Sequence, residues 1–189
     1  MNGCLKCGGT LKMANGKPCP DCASEIKVVP IVQGIPMQYQ GTQFDRKFLP
    51  EKEQGKYGTF MEELLTTIVN DIAFYQKNML ICSRPNSGKT LWAFNIITVL
   101  NSKGFNIPVL KDIAEVRGIL NSYNIDEVNT WSTARVVFVK LPRDMAPWMF
   151  DTISYLVERR VRSDGFTVFL YSGKYEELKQ CDKYDRLKI

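Results

Sequence analysis

The residues best suited to chemistry are Ser83-Arg84-Pro85-Asn86-Ser87-Gly88-Lys89-Thr90. Gly-Lys-Thr at the end of a turn-forming stretch is the close of a phosphate-binding loop. In such a loop Pro85 helps shape the turn, Asn86, Ser87 and Gly88 offer backbone N–H groups to a β-phosphate, Lys89 reaches the β- and γ-phosphates, and the Thr90 hydroxyl holds Mg²⁺. The expected ligand is therefore ATP or ADP. Ser83 stands where the motif has its first glycine, and Pro85 and Asn86 supply turn geometry that partly replaces it.

A second constellation lies at the front, in Cys4-Leu5-Lys6-Cys7 and Cys19-Pro20-Asp21-Cys22. Two C-x-x-C turns present four thiolates to one ion, which predicts a structural Zn²⁺ ribbon held by Cys4, Cys7, Cys19 and Cys22, with no position left open for water. Two disulfides or an iron–sulfur cluster are the competing readings. A reducing compartment disfavours the first, and the paired turns favour zinc over the second. About 25 residues cannot bury a sufficient core, so metal binding worth on the order of 10 kcal/mol would fold them. Cys82 and Cys181 read as ordinary thiols.

Several elements must position the phosphate loop. Met79-Leu80-Ile81-Cys82 reads as the strand before it, and Leu91 to Leu100 as the helix after it, ending near Gly104. Pro and Gly punctuate 28–56, a linker that packs across a domain. Thr59 to Glu62 has capping-box spacing and predicts a helix carrying Met61, Leu64, Leu65, Ile68, Val69 and Ile72. Pro108 to Leu110 is a candidate strand, followed by a helix opening at Asp112.

Arg135 to Leu141 predicts the strand that normally ends in the acidic Walker B residues. Those positions read Lys140 and Leu141, so no carboxylate stands there to orient the Mg²⁺ water shell or the attacking water. Asp144 is the nearest candidate, although a solvated loop aspartate is the simpler reading. A helix from Ala146 to Arg162 ends in Arg159, Arg160 and Arg162, which complement its dipole. Phe166 to Tyr171 predicts a further buried strand tipped by Ser172 and Gly173. Strands alternating with helices imply an α/β fold with a mainly parallel sheet and its ligand at the carboxyl ends of the strands.

With 189 residues, 44% of them hydrophobic, the chain can hold one medium domain and a small appendage. The expected division is a zinc ribbon over 1–28, a linker over 29–57 and a nucleotide-binding domain over 58–189. No membrane span or signal peptide is expected, which suggests the cytoplasm. The absence of histidine excludes histidine-activated nucleophiles, histidine general bases and mixed Cys/His zinc sites. A net charge of +5 permits nucleic-acid contact without requiring it.

Taken in order, these motifs resemble the bacterial and phage replicative helicase loaders of the DnaC/DnaI type, which are AAA+ ATPases. The resemblance rests on the front cysteines, on Ile35-Pro36-Met37-Gln38-Tyr39 and Gly41-Thr42-Gln43-Phe44-Asp45, and on the phosphate loop. It continues through Ile153 to Arg160, the strand from Thr167 to Gly173, and Tyr184-Asp185-Arg186-Leu187. It implies delivery of a hexameric replicative helicase to single-stranded DNA. It also implies self-association in which Arg186 reaches a neighbour's γ-phosphate as an arginine finger. Ser83, Lys140, Leu141 and Gly173 depart from the family pattern and imply weak or absent hydrolysis. The alternative is a transposition regulator of the IstB type, whose partner is a transposase.

Overall fold

The computed structural model describes residues 32–40, 42–72, 75 and 77–179. Cys4, Cys7, Cys19, Cys22, Cys181 and Arg186 lie outside them, as do the ribbon and the finger segment that these residues define. By contact the chain divides into Met1–Pro30 and Ile31–Ile189, and the description below concerns the second unit.

After a 3₁₀ turn at Arg46–Phe48 come α1 (Glu51–Gln54) and α2 (Lys56–Asp71), then β1 (Met79–Cys82) and α3 (Lys89–Ser102). The chain continues through β2 (Lys111–Asp112), α4 (Ile113–Leu120), α5 (Ile125–Thr133), β3 (Val136–Leu141), α6 (Pro147–Val161), β4 (Phe166–Tyr171) and α7 (Tyr175–Lys179). The described strands form one parallel sheet in the order β1-β4-β3-β2. Strand alternation assigns each residue to one of two cores. Ile81, Val136, Phe138, Phe166, Val168 and Leu170 join the core under α2 and α3. Val137, Val139, Leu141, Phe169 and Tyr171 join the core under α4, α5 and α6. A strand covered on both faces has no polar side, and all six residues of β4 are buried.

Three local expectations shift. Helix α2 starts at Lys56, and Thr59 lies inside it with its N–H bonded to Gly55 O at 3.0 Å. The Thr59–Glu62 pair is turned to Arg46 instead of to a helix end. Arg46 Nη1 donates to Thr59 Oγ1 at 2.8 Å, and Arg46 N donates to Glu62 Oε1 at 3.1 Å. The edge strand is Lys111–Asp112, later than Pro108 to Leu110, because proline has no N–H to give a ladder. Helix α5 is an addition to the expected elements. Asn124 caps it by accepting from Glu127 N at 3.3 Å, and Val128, Trp131 and Ser132 form its buried stripe.

The side chain of Arg160 is wholly buried. Its Nε donates to Thr167 Oγ1 at 3.1 Å, Nη1 to Trp131 O at 2.5 Å, and Nη2 to Ala134 O at 2.7 Å and Phe166 O at 2.8 Å. It ties the end of α6 to the close of α5 and the start of β4. The expected role as a complement to the helix dipole therefore does not describe Arg160. Burial lowers its pKa to about 10, so it remains a cation near neutral pH. Gly165 admits the guanidinium, since a Cβ there would sit 2.8 Å from Arg160 Nη2.

Candidate nucleotide site

The loop from Ser83 to Gly88 runs from the end of β1 into α3, at the carboxyl edge of the sheet. Its first residue continues the ladder, with Ser83 N donating to Tyr171 O at 3.2 Å. The sharp turning falls on Asn86 at φ 60° and Gly88 at φ 80°, both left-handed. Ser83 carries no positive φ, so a side chain is tolerated at the position where the motif has glycine. Gly88 cannot take one, because a Cβ would meet Leu49 Cδ2 at 2.4 Å. Leu49 is itself buried, which makes the segment before α1 a wall of the loop.

Lys89 opens α3 and is buried, with its ammonium folded back into the loop. It donates to Ser83 O at 3.1 Å, Ser83 Oγ at 2.9 Å, Arg84 O at 2.8 Å and Ser87 Oγ at 3.1 Å. The hydroxyls of Ser83 and Ser87 lie 2.5 Å apart, and Tyr57 OH reaches them from α2 at 3.2 and 3.4 Å. Burial lowers the Lys89 pKa to about 8; Cys82 and Glu53 oppose the shift and Lys140 adds to it. Burial also raises the Cys82 thiol to about 11, which keeps it protonated and unreactive.

Ser87 is buried alongside Lys89, Gly88 and Thr90 are half-buried, and Pro85 and Asn86 are exposed. Cys82 to Pro85 form one wall of a cleft of about 440 Å³. The same cleft is lined by Arg143 and by residues from Ser172 to Glu177. The tip of β4 is thus brought to the loop. Asp144 is exposed and lines a neighbouring cleft that shares Arg143 and Glu177 with the loop's cleft, but Asp144 itself does not line the loop's cleft.

Lys140, near the end of β3, is half-exposed and 4.0 Å from Asp112. Tyr57, Leu49, Arg143 and Glu177 join the site only in the folded chain. Local patterns carry no signal for Tyr57, whose partners are 26 and 30 residues away.

No protein-family model matches the sequence, and no curated protein matches it. The fold does have solved counterparts. A candidate primosome component from Streptococcus pyogenes serotype M3 superposes with a TM-score of 0.59 at 12% identity, over 82% of this chain and 85% of that one. DnaI superposes with a TM-score of 0.54 at 12% identity, over 82% of this chain and 87% of its own. The fold is shared with DnaI and with that primosome component. A replication initiator DnaA bound to AMPPCP and single-stranded DNA is similar over 72% of this chain and 46% of that one, with a TM-score of 0.55 at 11% identity. The likeness to DnaI runs nearly end to end, whereas DnaA is matched over about half its length.

Among the described residues, no helix is long and apolar enough to cross a membrane.

Proposed function

We propose that this chain is a DNA-replication protein of the helicase-loader type, which binds ATP or ADP at Ser83–Thr90 and delivers a hexameric replicative helicase to single-stranded DNA. The observation that carries this reading is a phosphate loop that keeps Gly88, Lys89 and Thr90, with Lys89 at the head of α3, within a fold matched to DnaI over 82% of the chain. Backbone N–H groups and the helix N-terminus bind phosphate whether or not hydrolysis follows. Nucleotide then acts as an assembly cue, since Lys140 and Leu141 bring no carboxylate to activate water.

In this reading Cys4, Cys7, Cys19 and Cys22 hold Zn²⁺ in a module that grips the helicase, and Arg186 completes a neighbour's site. Co-purification with the replicative helicase of the same replication system tests it. Association that depends on the four cysteines is expected; no association with ATP, with ADP or without nucleotide would overturn the loader function. Metal analysis of the purified chain should find about one zinc per chain, lost when any of the four cysteines becomes serine.

A further inference from the structure

The cross-sheet register aligns Ile81 with Leu170, Leu170 with Lys140, and Lys140 with Asp112. Lys140 therefore lies two strands from the phosphate-loop strand, about 10 Å away at ordinary strand spacing. Its neighbours two and four positions back, Phe138 and Val136, belong to the core beneath α3. Alternation puts Lys140 on that same face, at the carboxyl edge where α3 begins. A P-loop ATPase places its metal-orienting carboxylate at the same end of this strand.

Of the nearby carboxylates, Glu53 and Glu176 act on Lys89 and Cys82 through charge, and the two beside Lys140 and Arg143 are already paired. Asp112 lies 4.0 Å from the Lys140 ammonium, and its side chain also caps α4 by accepting from the backbone of Glu115. Glu177 pairs with Arg143 at 3.4 Å and accepts from Lys174 N at 3.4 Å. Among the described residues no three Cys, Asp or Glu side chains converge to hold a metal ion. The donor set suits an anion better than a hydrated Mg²⁺ ion, for which Thr90 is the ligand the loop itself offers. Lys140 is also close enough to Lys89 to disfavour a second ammonium charge there. A polyphosphate bound between two such cations relieves their repulsion, which is the electrostatic service a divalent ion otherwise performs.

We infer that Lys140 stands in for the metal ion's charge, so that the loop takes a nucleoside di- or triphosphate without requiring Mg²⁺. This rests on the reading of Ser83–Thr90 as a nucleotide site. The test is equilibrium binding of a fluorescent ADP or ATP analogue to the full chain, in excess Mg²⁺ and in EDTA. The two affinities are expected to agree within about threefold, and Lys140→Asp should lose about tenfold or more in EDTA and recover with Mg²⁺. Lys140→Gln should weaken binding in EDTA more than in Mg²⁺, and because Lys140 is half-exposed both variants should keep the parent's melting temperature. Binding by the parent chain that needs Mg²⁺, or variants whose metal dependence is unchanged, would overturn the inference and leave the nucleotide site standing. No binding in either condition would overturn both.

Discussion

The ammonium of Lys89 lies 2.9 Å from the hydroxyl of Ser83, the residue that occupies the position of the motif's first glycine. The substitution thus gives the lysine an acceptor inside its own loop, linked to Tyr57 directly and through Ser87. A phosphate must compete with that network for the same charge. Ser83→Gly is expected to tighten nucleotide binding by up to about tenfold, the worth of one charge-assisted hydrogen bond. Calorimetric titration of the variant beside the parent would read it, and unchanged or weaker affinity would count against competition.

Protonation of Lys89 sets a pH dependence. Its pKa in the ligand-free fold is about 8, against an ordinary 10.5. Polyphosphate needs the ammonium, so affinity should be flat below pH 8 and fall by up to about tenfold per unit above it. Binding near pH 8.5 should take up protons, which titration in buffers of different ionisation enthalpy detects. Stability moves the other way. Between about 8 and 10.5 the unfolded lysine holds more protons than the folded one, so this group makes the ligand-free chain more stable as pH rises through that window.

Gly88→Ala should destabilise the chain by about 2–4 kcal/mol, from an L-residue held at positive φ and a methyl forced against Leu49. The double variant with Leu49→Ala should cost less than the sum of the two single changes, since the methyl then enters the space that Leu49 vacates. Chemical denaturation of the four proteins closes the cycle, and simple additivity would show that Leu49 is not what confines the loop.

Turnover should be very slow. The charge-stabilising and water-orienting carboxylates of phosphoryl transfer are worth orders of magnitude in rate, and Lys140 and Leu141 supply neither. Phosphate release by the purified chain, with Lys89→Ala as the blank, should lie close to background. Brisk release abolished in that blank would point to an acid elsewhere, with Glu176 in the loop's cleft the first to mutate.

Legibility in the sequence followed the range of the interactions. The strand Met79–Cys82, the helix over Leu91 to Leu100 and the strands near Val136 and Phe166 were plain because each is an apolar run bounded by turn residues. Helix α5 is hard to see in the sequence, although Asn124 and Glu127 have capping spacing and Val128, Trp131 and Ser132 a helical period. Its polar residues, Asn129, Thr130 and Thr133, diluted the apolar signal. The loop was read as a phosphate cradle, but its closure by Tyr57 and Leu49 depends on residues brought in from α2 and from ahead of α1. Arg160 illustrates the same limit, because a charged residue near a helix end looks solvated until the carbonyls of Trp131, Ala134 and Phe166 are seen to surround it.

Replacing Arg160 with leucine should cost at least about 3 kcal/mol, because three buried carbonyls lose their donors together. Lysine should rescue little of this, since one ammonium cannot reproduce the planar fork. Thermal melts of the two variants would read the difference, and near-wild-type stability of either would deny the guanidinium its structural role.

That guanidinium also bears on how the domain breathes. With one side chain reaching from the end of α6 to the close of α5 and the start of β4, none of these segments can open alone without stranding the cation away from water. Amide protons of β4 and of the last turns of α5 and α6 should therefore exchange through a single shared opening, as one cooperative block. The phosphate loop is held by Tyr57, Leu49 and Lys89, none of which Arg160 bonds, and it meets β4 through Ser83 N on Tyr171 O. A nucleotide can then be gained or lost without disturbing the half of the sheet that Arg160 locks.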